Sequence, residues 1–207
     1  MSRPPMKAYQ NHLSNTVRDS RDDYPTPPGF VDSLLSLDLV PRDSLVWDPC
    51  AGSGWLVKRL RERGFNNVVY DDLYYNQTDF FDSKRRKVDW VVTNPPYRHT
   101  EGFVRGSIES ASEGVAMLTN SAFLESVGRA EGLFSELPPS LIAMNSRRMA
   151  LVNGTSSAFS HTWLVWDKSA NTRETKFTWV SPGTDKKERQ IPTGDAGVWG
   201  NIDWSLL

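Results

Sequence analysis

The sequence predicts one α/β domain built on a mostly parallel sheet, and three segments carry that prediction. Leu45-Val46-Trp47 is a short apolar run that enters the loop Asp48-Pro49-Cys50-Ala51-Gly52-Ser53-Gly54. Helical spacing follows from Trp55 to Arg63 and stops at Gly64. Val68-Val69-Tyr70 is a second apolar run, closed by the carboxylates Asp71 and Asp72. Trp90-Val91-Val92 is a third, closed by Thr93-Asn94-Pro95-Pro96-Tyr97, where neither proline can donate a ladder hydrogen bond. Short β-rich runs that alternate with helices and stop on polar loops read as strand-helix-strand units. In open sheets of that kind, ligands gather at the C-terminal ends of the strands.

At 207 residues the chain suits a single domain with a full core. Charged residues at 24% and hydrophobic ones at 38% are ordinary for a globular protein in water. The net charge of −1 excludes binding to nucleic acid through overall positive charge, so any such contact must come from local patches. The one cysteine, Cys50, cannot form an intrachain disulfide, which fits a reducing cytoplasm. Met1 to Asn15 carry no apolar run, so neither a secretory signal nor a membrane span is expected.

Taken in order, residues 1–22 read as a flexible arm, residues 23–180 as the domain and residues 181–207 as a tail with Trp199 and Trp204 as anchors. Prolines force Asp23-Tyr24-Pro25-Thr26-Pro27-Pro28 to be extended, and helical spacing follows at Phe30, Val31, Leu34 and Leu35. Lys84-Arg85-Arg86-Lys87 precedes the Trp90 strand, which places it at that strand's N-terminal end as a solvated loop. After Tyr97 the pattern predicts a helix over 101–112, a buried strand at Val115–Leu118 and a helix near 128–137. Strands follow at Leu141–Met144 and Trp163–Trp166, and Phe177–Val180 adds an edge strand or hairpin.

The Asn94-Pro95-Pro96-Tyr97 turn suits methylation of an exocyclic amine. An adenine amino group is conjugated with its ring and is a poor nucleophile. The Asn94 side-chain oxygen and the Pro95 carbonyl can accept its two N–H bonds and favour a pyramidal nitrogen, while Tyr97 stacks on the base. The motif resembles the catalytic motif of amino-group methyltransferases that use S-adenosylmethionine, above all the N6-adenine DNA methyltransferases of small phage and prophage type. The resemblance runs over about residues 23–168, in the order cofactor segment, glycine loop, catalytic motif.

That resemblance implies a Rossmann-like class I methyltransferase domain with a seven-stranded sheet whose last two strands, Leu141–Met144 as the sixth and Trp163–Trp166 as the seventh, form an antiparallel pair. It implies S-adenosylmethionine as cofactor. Tyr24 and Thr26 would hold its methionine end, and the loop with Asp48, Cys50, Gly52 and Gly54 would wrap its amino-acid part. Asp71 would accept the ribose hydroxyls, with Asp72 read as a solvated loop acid. Asp79 would take the adenine amino group and Phe80 would pack by the ring, close to Asn94. Arg98 and His99 follow the motif. The Asn145–Thr162 loop, expected on the catalytic face, holds Arg147, Arg148, Asn153, Ser156, Ser157 and His161. These are donors suited to phosphates and base edges, or simply a surface loop with two snorkelling arginines. His161 has no Cys or His neighbour at ligand spacing, so no metal is assigned.

The implied reaction is methyl transfer to an adenine flipped out of DNA. No segment is large enough for a separate target-recognition domain, so a short or relaxed target is expected unless a homodimer lends more surface. Two other readings stay open. One is a methyltransferase for an RNA adenine or guanine or a protein glutamine amide. The other is a non-catalytic partner subunit that binds S-adenosylmethionine. The expected compartment is the cytoplasm, that of a bacterial host if the chain is phage-encoded.

Overall fold

Pro28 opens the first helix because a proline's missing N–H costs nothing in a first helical turn. The computed structural model describes residues 25–81, 86–150, 156–170 and 173–192. Tyr24, Asn153, Trp199 and Trp204, together with the arm 1–22, lie outside the described residues. Helix α1 (Pro28–Leu35) follows the extended Pro27 and buries Phe30, Val31 and Leu34. Then come β1 (Val46–Asp48), α2 (Trp55–Glu62), β2 (Val68–Tyr70), β3 (Val88–Thr93), α3 (Thr100–Ser110) and β4 (Ala111–Asn120). A 3₁₀ turn (Ser121–Leu124) leads to α4 (Val127–Glu131) and α5 (Leu133–Glu136), then β5 (Leu141–Asn145), β6 (His161–Asp167) and β7 (Lys176–Val180).

The seven strands form one sheet in the order β2-β1-β3-β4-β6-β5-β7. β6 runs antiparallel to both neighbours, and every other pair is parallel. Helices cover both faces. Phe30, Val31, Leu34, Leu56 and Leu60 of α1 and α2 pack on one face with Val92 and Trp163. Phe103 and Val104 of α3 pack on the other with Trp47, Phe80 and Val91. Successive residues of β3 are therefore buried on opposite sides, which is why it reads as a continuous apolar run.

Three features depart from the sequence reading. The antiparallel pair of Leu141–Asn145 and His161–Asp167 is present but stands fifth and sixth in the chain, and the seventh strand is the edge strand β7. The helix expected near 128–137 breaks in two at Gly132, whose backbone (φ −98, ψ −96) leaves the helical region. A side chain there would meet the Gly128 carbonyl at 2.9 Å. β4 is longer than its apolar centre, because α3 passes into it directly at Ala111. Gly114 sits under the Trp90 indole, where a Cβ would approach to 2.4 Å.

The chain past β7 also packs onto the domain. Gly29 N donates to Glu188 O at 2.7 Å, Ala150 N to Arg189 O at 2.8 Å and Ile191 N to Ala150 O at 2.9 Å. Arg59 of α2 bridges Asp32 of α1 and Glu188 in the same region.

Candidate functional site

A cavity of about 410 Å³ opens beyond the C-terminal ends of β1, β2 and β3. The glycine loop contributes Asp48, Cys50 and Gly52, and the segment after β2 contributes Asp72, Leu73, Tyr74, Tyr75, Asp79, Phe80 and Phe81. Thr26, Asn94 and Pro96 line it from the proline-rich segments, and Arg98, His99 and Phe103 complete it. Ten of the residues singled out in the sequence thus stand around one cavity, although they span residues 26 to 99.

The glycine loop follows this path because two of its residues are in the left-handed region, Gly52 at φ 52° and Gly54 at φ 81°. Gly54 is also the N-cap of α2. Asp72 fastens the loop from the side: its carboxylate accepts from Gly52 N at 2.8 Å, Tyr74 N at 2.8 Å and Tyr75 N at 3.2 Å. Asn94 is oriented by Thr26, whose hydroxyl accepts from the Asn94 amide nitrogen at 3.2 Å. That bond ties the turn after β3 to the segment before α1. The turn itself is closed by His99 N donating to Pro96 O at 3.0 Å.

Asp48 is buried at the cavity and accepts from Thr93 Oγ1 at 2.7 Å and Cys50 N at 3.2 Å. Loss of hydration outweighs both bonds, and the carboxylates of Asp72 and Asp71 add to it, so the Asp48 carboxyl is pushed up to about 7. Burial, then the Asp48 charge, push the Cys50 thiol well above its ordinary range, so it is no thiolate nucleophile at neutral pH.

Several residues differ from their expected placement. Asp71 does not line the cavity; Asp72 does. Neighbouring residues of an extended chain point to opposite sides, and Asp71 turns to the α3 face. There it accepts from Trp47 Nε1 at 2.9 Å and from the fork of Arg86 at 2.7 and 3.0 Å. Arg86 is consequently an anchor for Asp71 rather than part of a free basic loop, and Lys87 Nζ donates to Glu109 O at 2.9 Å. Phe80 is chiefly core, stacked on Phe103 with ring centroids 4.5 Å apart, while its neighbour Phe81 is 46% exposed at the cavity.

Tyr97 lines a separate cavity of about 150 Å³ with Thr119, Asn120 and Arg129. Its hydroxyl bonds His161 Nε2 at 2.8 Å. His161 is buried against the edge of Phe30, and burial pushes its imidazole down to about 4. It is a neutral support for Tyr97, not an exposed phosphate donor. Arg147 and Arg148 are exposed just past β5, at the same end of the sheet as Asn94.

Asp72, Tyr74, Tyr75, Phe81 and Thr93 carry no strong mark in the sequence. The paired acids at 71 and 72 were the one signal that could have pointed to Asp72.

No family model and no curated protein sequence matches the chain. Solved structures do. The methyltransferase subunit of a type I restriction-modification system from Streptococcus thermophilus superposes with TM-score 0.60 at 16% identity, over 83% of this chain and 50% of that one. A protein from Listeria monocytogenes described as a class I S-adenosylmethionine-dependent methyltransferase gives TM-score 0.57 at 13% identity, over 87% of this chain and 72% of that one. The chain has the class I methyltransferase fold. A protein from Pyrococcus horikoshii described as an RNA methyltransferase shares it, with TM-score 0.51 at 16% identity over 83% of this chain and 100% of that one. The chain spans about half the length of the Streptococcus subunit. In this methyltransferase fold, the larger cavity lies where the glycine loop and the Asn-Pro-Pro turn meet. Among the described residues no cluster of His, Cys, Asp and Glu could hold a metal ion, and no helix is long and apolar enough to cross a membrane.

Proposed function

We propose that the protein transfers a methyl group from S-adenosylmethionine to the exocyclic amine of adenine in DNA. The observation behind this reading is the bond from Asn94 to Thr26 at a cavity shared with the glycine loop. A methyl-accepting amine bound at Asn94 would thus lie beside the place where the cofactor is held.

The cavity's chemistry suits that cofactor. S-adenosylmethionine carries a sulfonium and an ammonium, and three carboxylates, Asp48, Asp72 and Asp79, line the cavity. Leu73 and Phe81 offer apolar surface for a purine ring, and the volume is that of a small-molecule site. Thr26 and the glycine loop would hold the methionine end, Asp72 the ribose hydroxyls in place of Asp71, and Asp79 the adenine amino group. When bound, the cofactor supplies an electrophilic methyl group. Asn94 Oδ1 and the Pro95 carbonyl accept the target amine's N–H bonds and aim its lone pair, and the amine's proton leaves to solvent. Tyr97, held by His161, offers a ring for the flipped base to rest on. Arg98, His99, Arg147 and Arg148 are the candidates for phosphate and base-edge contacts, too few to read a long site.

A second reading, methylation of a base amine in RNA, draws on the Pyrococcus likeness, which extends over the whole of that chain. Labelled cofactor incubated with DNA, RNA and cell protein in parallel separates the readings. The proposal expects label in DNA, on adenine N6. Label confined to RNA or protein overturns the DNA assignment, and label in none of them, with cofactor bound, favours a non-catalytic subunit.

A further inference from the structure

β7 is the last strand of the sheet, and among the described residues it pairs with β5 alone. Phe177 and Trp179 project from it on one face, opposite the buried Val180. They are 50% and 70% exposed and meet edge to face at 4.8 Å. An open edge that presents two large aromatic rings to water is suited to a partner rather than to solvent.

Charge identifies the partner. Ser146 N donates to Val180 O at 2.9 Å, so Arg147 and Arg148 emerge directly beside the end of β7. The chain leaving β7 turns back to the same place, where Arg189 Nη1 donates to Arg148 O at 3.1 Å. Residues 146–148 and 185–189 together hold five cations, Arg147, Arg148, Lys186, Lys187 and Arg189, against two acids, Asp185 and Glu188. Glu188 is already engaged by Arg59 at 3.1 Å. Arg147, Arg148, Lys186 and Lys187 are all exposed. On a chain of net charge −1, this is a local basic patch next to an aromatic pair.

We propose that this edge is a platform for an unpaired nucleic-acid strand that continues outward from the target base. Trp179 and Phe177 stack on bases, and Arg147, Arg148, Lys186 and Lys187 take the phosphates. The proposal rests on the reading of a nucleic acid as substrate and adds the state of its strand. A duplex keeps its base faces stacked on one another, whereas a single strand offers them to aromatic side chains along a basic track. The reach is also suitable. β7 lies four strands from β3, about 19 Å at ~4.8 Å per strand. A stacked strand covers that distance in about six nucleotides at ~3.4 Å each, and an extended one in fewer.

The test is oligonucleotide binding by fluorescence anisotropy with the full chain, at two lengths around one adenine. A tetranucleotide with its adenine at an inner position leaves at most two nucleotides on either side, too few to reach β7 even when extended, and a pentadecanucleotide is long enough; the duplex of the latter is a third probe. Trp179→Ala should weaken binding of the long single strand about 10-fold while leaving the tetranucleotide unchanged, and Trp179→Phe should restore most of the loss. Arg147→Ala with Arg148→Ala should lower the slope of log affinity against log salt by about 1.4. The same losses on RNA oligonucleotides would support the platform and show that the sugar is not read.

Parent-like affinity of Trp179→Ala for the long strand would overturn the proposal. So would an equal loss on short strand, long strand and duplex. Methyl transfer is measured on the same oligonucleotides. Length-dependent binding without methylation of any probe refutes the methyltransferase reading and leaves the platform standing. Methylation with unaltered binding by Trp179→Ala does the reverse.

Discussion

Asp48→Asn separates the cost of a buried charge from its use. The Asp48 carboxyl moves from an ordinary 3.8 to about 7, with burial as the main cause. A shift of that size corresponds to roughly 4 kcal/mol spent on holding the ionised group in the fold. The folded value lies above the unfolded one, so this stability is fully present below about pH 4 and is lost as pH rises towards 7. It then stays lost. Asparagine keeps an acceptor for Thr93 Oγ1 and Cys50 N but cannot ionise. Without cofactor, Asp48→Asn should match the parent near pH 4 and exceed it at pH 8, with a melting temperature higher by roughly 5–15 °C. Cofactor affinity should move the other way, because the neutral amide no longer attracts a cationic ligand. Thermal melts from pH 4 to 9, with calorimetric titration of S-adenosylmethionine at pH 8, measure both. A stability difference that is constant across this pH range would refute the reasoning.

The remaining predictions concern the cavity and its supports. Asn94→Ala should lower turnover at least ~10²-fold while cofactor binding largely survives, as read by methyl transfer alongside calorimetry. Asp72→Ala should weaken S-adenosylmethionine binding roughly 10–100-fold, the loss of a charge-assisted bond of about 1.5–3 kcal/mol. Asp71→Ala should instead reduce stability by releasing Arg86 and Trp47; if Asp71 rather than Asp72 controls affinity, the assignment of the ribose site is wrong. His161 titrates at about 4 in the fold against an ordinary 6.5. Its contribution is therefore present above pH 6.5 and falls away by about 3 kcal/mol as pH drops to 4. Urea unfolding of His161→Gln at pH 5 and 7 should show that pH dependence removed.

The elements that carry the cavity were legible because their signals are local. An apolar run that ends on Asp48 and a glycine turn, and another that ends on Asn94 and two prolines, each declare a strand and its exit within a dozen residues. Gly132 was equally local yet misleading. Its helix looked continuous from apolar spacing, but the Gly132 backbone leaves the helical region and divides the helix in two. β7 was legible only as a strand or hairpin, since its partner β5 lies more than thirty residues upstream and nothing in either run specifies a parallel pair.

By itself, then, the sequence determined the α/β class, the order of strands along the chain and the set of segments that meet at their C-terminal ends. Backbone preference and apolar periodicity act over a few residues, and those are written in the chain. Only the tertiary structure decided which of two adjacent carboxylates faces the cavity, because one step along an extended backbone reverses a side chain's direction. Only it joined Thr26 to Asn94, Arg86 to Asp71 and His161 to Tyr97. Each of these bonds depends on how strands from distant parts of the chain align in register. Short-range patterns can place a donor at the end of a strand, but its acceptor is chosen by the packing of the whole sheet.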